Sequence, residues 1–102
     1  PLPTANATGS ARYDACSDKL QLNLLIQDNH IVEACFEAQA CGPVIALASL
    51  ATEEIRGKSV QEVLSLDAFH WDRLAGGLPP AKRHAILLIL DCIAQAISST
   101  KT

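Results

Sequence analysis

The chain has 102 residues, 49% hydrophobic and 4% aromatic, with 8 Lys+Arg against 11 Asp+Glu and a formal net charge of −3. That length holds one core, and that apolar content excludes disorder for the bulk of the chain. Scarce aromatics and the lack of clustered positive charge exclude a base-stacking or polybasic surface, so no nucleic acid and no acidic membrane is an expected partner.

Residues 1–10, rich in Pro, Thr, Ala and Gly, predict a loose N-terminal arm, with 11–102 as a single domain. A short edge strand is expected over Ala11–Ala15, leading to Cys16. Leu20, Leu22, Leu24 and Ile26 then recur at every second position, the period of a half-buried strand. Asp28-Asn29 is turn chemistry that tolerates positive φ, and a second alternating run over Ile31–Ala38 places Val32, Ala34 and Phe36 on one face. The two runs predict an antiparallel hairpin.

A loop carrying Cys41 follows, then a helix from Val44 to about Arg56, with Pro43 at its start and Gly57 as its stop. Ser59-Val60-Gln61-Glu62 has the form of a capping box opening a short helix to about Leu66. Another short helical piece is expected around Phe69–Leu74 before Gly76-Gly77-Leu78-Pro79-Pro80 breaks the pattern. From Pro80 a helix is expected to about Ser98, with Ile86, Ile89 or Leu90, Ile93 and Ile97 on one face. Leu87 and Leu88 widen that face and suggest a contact with another helix or a second copy of the chain, a homo-oligomer through the C-terminal helix. Strands first and helices after predict an α+β fold: a small antiparallel sheet of about three strands with helices packed on one face.

No apolar run reaches the roughly 20 residues of a membrane span, since Asp91 interrupts the stretch from Ala85 to Leu90. With no basic-apolar signal segment visible, a cytoplasmic protein is expected, and its four cysteines are expected as thiols or metal ligands rather than disulfides.

Three places carry metal-binding side chains: Cys16 with Asp18, Cys41, and His84. Cys16 and Asp18 enter one strand of the hairpin and Cys41 follows the other, so those ends are neighbours. His84 lies near the start of the last helix, whose packing on the sheet could bring it to the same corner. Two thiolates, an imidazole and a carboxylate suit a tetrahedral zinc site, and sulfur with imidazole also suits iron–sulfur chemistry. The same residues also read as two buried thiols, a turn aspartate and a polar helix-start residue. A Cys41–His84 nucleophile–base pair lacks any orienting third residue, so an enzyme is not expected.

Cys16-Ser17-Asp18 entering a strand, Ala40-Cys41-Gly42 with Ile45-Ala46 and Ala48-Ser49 after it, and Leu78-Pro79-Pro80-Ala81-Lys82-Arg83-His84 occur in this order. Together they resemble the NifU/IscU-type iron–sulfur cluster assembly scaffolds, from about residue 10 to residue 98. The resemblance implies a domain that takes sulfur from a cysteine desulfurase, holds iron, a 2Fe–2S cluster or zinc, and passes a cluster to acceptor apoproteins. It implies Cys16, Asp18, Cys41 and His84 as metal ligands. It also implies Leu78, Pro79, Pro80, Ala81 and Lys82 as the peptide read by an Hsp70-type chaperone, with Ala81 in place of the usual valine. Two departures stand out: Ser17 replaces a glycine, and Ala85 occupies the place of the third cysteine, removing a ligand and a nucleophile. Cys35 lies six residues, about 20 Å of extended chain, from Cys41. Cys92 lies seven residues, about 10 Å of helix, beyond Ala85. Neither reaches the corner, so Cys35 is expected as a surface thiol and Cys92 as core filler. The alternative function is a diverged metal-binding or regulatory module of the same machinery, without assembly activity.

Overall fold

A two-residue turn sets the sheet. In the computed structural model, which describes residues 5–13, 18–40, 42–77 and 83–100, Asp28 (φ 51°) and Asn29 (φ 64°) both adopt left-handed backbone. Their short polar side chains tolerate that region, and two such residues match the twist of a tight hairpin. They join β2 (Asp18–Gln27) to β3 (His30–Gln39), and β1 (Ala7–Tyr13) pairs with the other side of β2. The result is a three-stranded antiparallel sheet in the order β1-β2-β3.

The predicted alternation of β2 holds: Leu20, Leu22, Leu24 and Ile26 are all buried. Burying each stabilises the fold by roughly 1.5–3 kcal/mol. The phase of β3 differs from expectation. A register shift opposite Leu25/Ile26 pairs Ile26 with Ile31 and Leu25 with Glu33, which leaves Val32 as the extra residue of a bulge. Ile31 therefore turns into the core and Val32 turns outward, 40% exposed, while Ala34 keeps the inward phase. The edge strand also starts earlier than expected. It begins at Ala7 rather than Ala11, so residues 7–10 pair with β2 instead of belonging to a loose arm, and the expected end at Ala15 lies outside the described residues. Small residues make this pairing useful, because β1 is where the last helix lies closest.

Helices α1 (Gly42–Ile55), α2 (Val60–Leu64), α3 (Ala68–Leu74) and α4 (His84–Ser98) complete the chain. Val44, Leu47, Ala48, Ala51, Thr52 and Ile55 of α1 are buried at the helical repeat that makes one face apolar. Gly57 ends this helix with φ 86°, and its N–H donates to the Ile31 carbonyl, tying the helix end to β3. The capping box opens α2 as predicted: Ser59 Oγ accepts from the Glu62 N–H while Glu62 accepts from the Ser59 N–H.

The described part of the last helix begins at His84, and residues 80–82, expected as its first turn, lie outside the described residues. It crosses β1 with almost no clearance, since a Cβ on Gly9 would lie 2.1 Å from the Cys92 carbonyl oxygen and 2.6 Å from the Ala96 nitrogen. Ile86, Leu88, Ile89, Cys92, Ile93 and Ala96 are buried against the sheet and α1. Leu88 thus finds its cover within the fold, whereas Leu87 stays 65% exposed beside Phe69 at 81%. Among the described residues no helix is long and apolar enough to cross a membrane.

Candidate metal centre

The start of β2, the end of β1 and the start of α4 meet at one end of the sheet. Tyr13 and Asp18 close the β1–β2 pair, facing each other across residues 14–17. Because Gly9 lets α4 settle on β1, His84 reaches Asp18: its Nε2 and the Asp18 Oδ2 share a hydrogen bond at 2.6 Å, across 66 residues of sequence. Both side chains are buried, Asp18 at 1% and His84 at 7% exposure. A buried carboxylate is stable only when paired or hydrogen-bonded, and this contact supplies such a partner. The Tyr13 ring stacks on the His84 imidazole with centroids 4.4 Å apart and 14° between planes.

Of the four ligands predicted from sequence, the structure thus brings Asp18 and His84 together. Cys16 and Cys41 lie outside the described residues, as do all five residues of the expected chaperone peptide, Leu78, Pro79, Pro80, Ala81 and Lys82. Lys19 pairs with Gln39, so the start of β2 lies beside the end of β3, two residues short of Cys41. Gly42, directly after Cys41, opens α1. Among the described residues no group of three or more His, Cys, Asp or Glu converges on one point.

The other cysteines take the positions expected. Cys92 is fully buried in α4, where its thiol donates to the Leu20 carbonyl at 3.4 Å. Burial, with Asp91 nearby, pushes this thiol up to about 12, so it stays neutral. Cys35 is half-buried on β3, opposite Asn23. Ala85 is fully buried in the hydrophobic core and offers no ligand atom.

Sequence reasoning missed Tyr13. The signal was its position, three residues before Cys16 in the sequence, and it became legible only once the pairing put it opposite Asp18. Beyond His84 opens a groove of about 400 Å3 lined by Tyr13, Phe69, Asp72, Arg83 and Leu87. Arg83 reaches Asp72 at 3.5 Å on its rim. A larger concavity, about 570 Å3, is lined by Arg12, Lys19, Gln21 and Glu37 among the described residues.

The model of the NifU-like N-terminal domain family matches residues 2–102. The iron–sulfur cluster assembly scaffold protein IscU of Haemophilus influenzae is 39% identical over 97 residues, covering 92% of this chain and 75% of that protein. The same-named protein of Buchnera aphidicola from Acyrthosiphon pisum is 39% identical over 96 residues, with 92% and 74% covered. Among solved structures, the N-terminal part of a nitrogen-fixing NifU-like protein from Brucella abortus superposes with a TM-score of 0.77 at 19% identity, covering 96% of this chain and 81% of that one. A chain from Fervidobacterium islandicum AW-1 superposes with a TM-score of 0.79 at 21% identity, covering 94% and 83%.

Proposed function

Because this chain belongs to the family of NifU-like N-terminal domains, we propose that it is an iron–sulfur cluster assembly scaffold or carrier rather than an enzyme. In this reading Cys16, Cys41, Asp18 and His84 hold the iron of a nascent cluster, the protein's cargo. The observation that carries it is the buried Asp18–His84 contact, formed between the first residue of β2 and the first residue of α4.

The chemistry of this pair fits a metal ion. A cation that takes the place of the shared proton binds the imidazole nitrogen and a carboxylate oxygen at once. Tetrahedral bonds of about 2.0–2.1 Å set such ligand atoms roughly 3.3 Å apart. The pair, at 2.6 Å, therefore opens by a fraction of an ångström on loading. Tyr13, stacked on the imidazole, limits which way the ring can swing. Thiolates complete the set, since soft sulfur is the ligand that iron–sulfur clusters use. A sulfur-delivering desulfurase, acceptor apoproteins and an Hsp70-type chaperone at Leu78–Lys82 are the partners this reading assigns.

Ala85 favours a second reading, because the cysteine missing there leaves two thiols for a cluster. A module that binds zinc or iron without assembling a cluster needs no more. Anaerobic reconstitution with ferrous iron and sulfide separates the two. The scaffold reading expects visible cluster absorption and labile sulfide that Cys16→Ala or Cys41→Ala abolishes and Cys35→Ser leaves intact. Zinc uptake with no labile sulfide under any condition would select the metal-binding module. Sulfide retention indifferent to Cys16 and Cys41 would overturn both.

A further inference from the structure

The three-stranded sheet has two edges, and the fold closes one of them and half of the other. On β1, Ser99 Oγ accepts from the Thr8 N–H at 3.0 Å and donates to the Thr8 carbonyl at 2.9 Å, and the Ser10 N–H donates to Gln95 Oε1 at 3.4 Å. On β3, Ile31 exchanges bonds with Gly57 and Lys58, and the Ala34 carbonyl accepts from the Arg56 guanidinium at 3.2 Å.

Beyond Ala34 the closure stops. Asn6 bonds the Leu24 carbonyl and both backbone groups of Ile26, so these even-numbered residues of β2 turn their backbone toward β1. Antiparallel pairing then turns the residues opposite Leu24, Leu22 and Leu20, namely Ala34, Phe36 and Ala38, away from β2. The outward N–H and C=O groups of Phe36 and Ala38 meet no partner among the described residues. An unpaired strand edge is a template for another strand.

We propose that the edge from Phe36 to Gln39 docks an extended segment of a partner protein, one in which basic residues alternate with small apolar ones. Charge selects that occupant. A strand laid beside Phe36–Gln39 sets one row of side chains against Glu37 and the alternate row against half-buried Phe36 and Ala38. A second copy pairing through Phe36–Gln39 brings Glu37 of each chain onto one seam, and no ion pair among the described residues offsets it, whereas Glu33 is balanced by Arg56 at 3.6 Å. The Glu37 charge guards against self-association and admits a cationic strand. The docking edge rests on sheet geometry and stands apart from cluster binding.

Amide exchange of the 15N-labelled chain tests it, with acetylated octapeptides of alternating Lys-Val and alternating Glu-Val as probes. At ten times its Kd the Lys-Val peptide leaves about one chain in eleven unliganded, so exchange at Phe36 and Ala38 slows about tenfold. Thr8 and Ser10, on the closed edge, exchange as before. Glu37→Lys reverses the preference between the peptides, and Ala38→Pro, which removes an edge donor that no ladder bond uses, abolishes the slowing at Phe36. No slowing, equal slowing by both peptides, or slowing that follows the concentration of the chain alone would overturn the proposal. Reconstitution with iron and sulfide, run on the same variants, reports cluster binding independently.

Discussion

Replacing Gly9 by alanine perturbs the contact that seats α4 on the sheet. The added Cβ meets the Cys92 carbonyl oxygen at 2.1 Å and the Ala96 nitrogen at 2.6 Å, whereas ordinary contact begins at 3.4 Å. Both obstacles are helix backbone, which cannot rotate aside as a side chain can. The helix has to back away from β1 by more than an ångström, loosening the buried Ile89, Cys92, Ile93 and Ala96. Overpacking costs about 1–3 kcal/mol, and a helix displacement puts Gly9→Ala at the upper end, about 3 kcal/mol. For a domain of this size that lowers Tm by roughly 12–24 °C. The control is Gly42→Ala, where a Cβ meets nothing within 4 Å and the change stays within about 0.5 kcal/mol. Thermal unfolding followed by far-UV circular dichroism reads both. A Gly9→Ala midpoint within a few degrees of the parent would show that α4 does not rest on β1 as described, and would undercut the route by which His84 reaches Asp18.

The hydrogen bond from His70 to Glu54, at 2.6 Å, holds the Glu54 carboxyl below its ordinary 4.5. A depressed carboxyl contributes stability that is fully present above the unfolded value and lost as pH falls through the folded one. The stability gap between the parent and Glu54→Gln therefore narrows in acid below 4.5, and urea midpoints that keep a constant gap from about pH 7 to about pH 3 would contradict this. Cys92, with its thiol pushed up to about 12 and fully buried, resists alkylation in the native state while half-buried Cys35 reacts. Peptide mapping after iodoacetamide checks this, and equal labelling of the two would refute it. Within the proposed chaperone segment, Ala81→Val restores apolar contact, so a peptide of residues 76–84 carrying it binds an Hsp70 protein more tightly than the native peptide. Equal affinity would remove Ala81 from that interface.

Much of the architecture was legible because it depends on local pattern. The alternation of Leu20 to Ile26, the Asp28-Asn29 turn, the Ser59–Glu62 box and the Gly57 stop each act within a few residues, and each appears where the sequence points. The bulge at Val32 was not legible. One extra residue reverses the facing of everything on one side of it, and both Ile31 and Val32 are apolar enough to be buried. The start of β1 was hidden for a different reason: Ala7, Thr8, Gly9 and Ser10 look like a loose arm. Yet a side chain at Gly9 would collide with α4, so the small residue that weakens a strand on paper is what the packing needs.

Of the candidate site, sequence and resemblance pointed to Asp18 and His84, but their contact depends on how deeply α4 sits on β1. That depth is set by Gly9, far from either residue in sequence. Tyr13 was silent for a similar reason. A lone tyrosine near a predicted strand carries no site signal until the strand partner opposite it is known to be Asp18.

The proposed ligand set, two sulfurs with one imidazole and one carboxylate, is read most directly by zinc K-edge X-ray absorption on the zinc-loaded chain. The expected spectrum has about two sulfur scatterers near 2.3 Å and two nitrogen or oxygen scatterers near 2.0–2.1 Å, with the outer-shell imidazole features gone in His84→Ala. A shell of four sulfurs, or of oxygen and nitrogen alone, would contradict the assignment of Cys16, Cys41, Asp18 and His84.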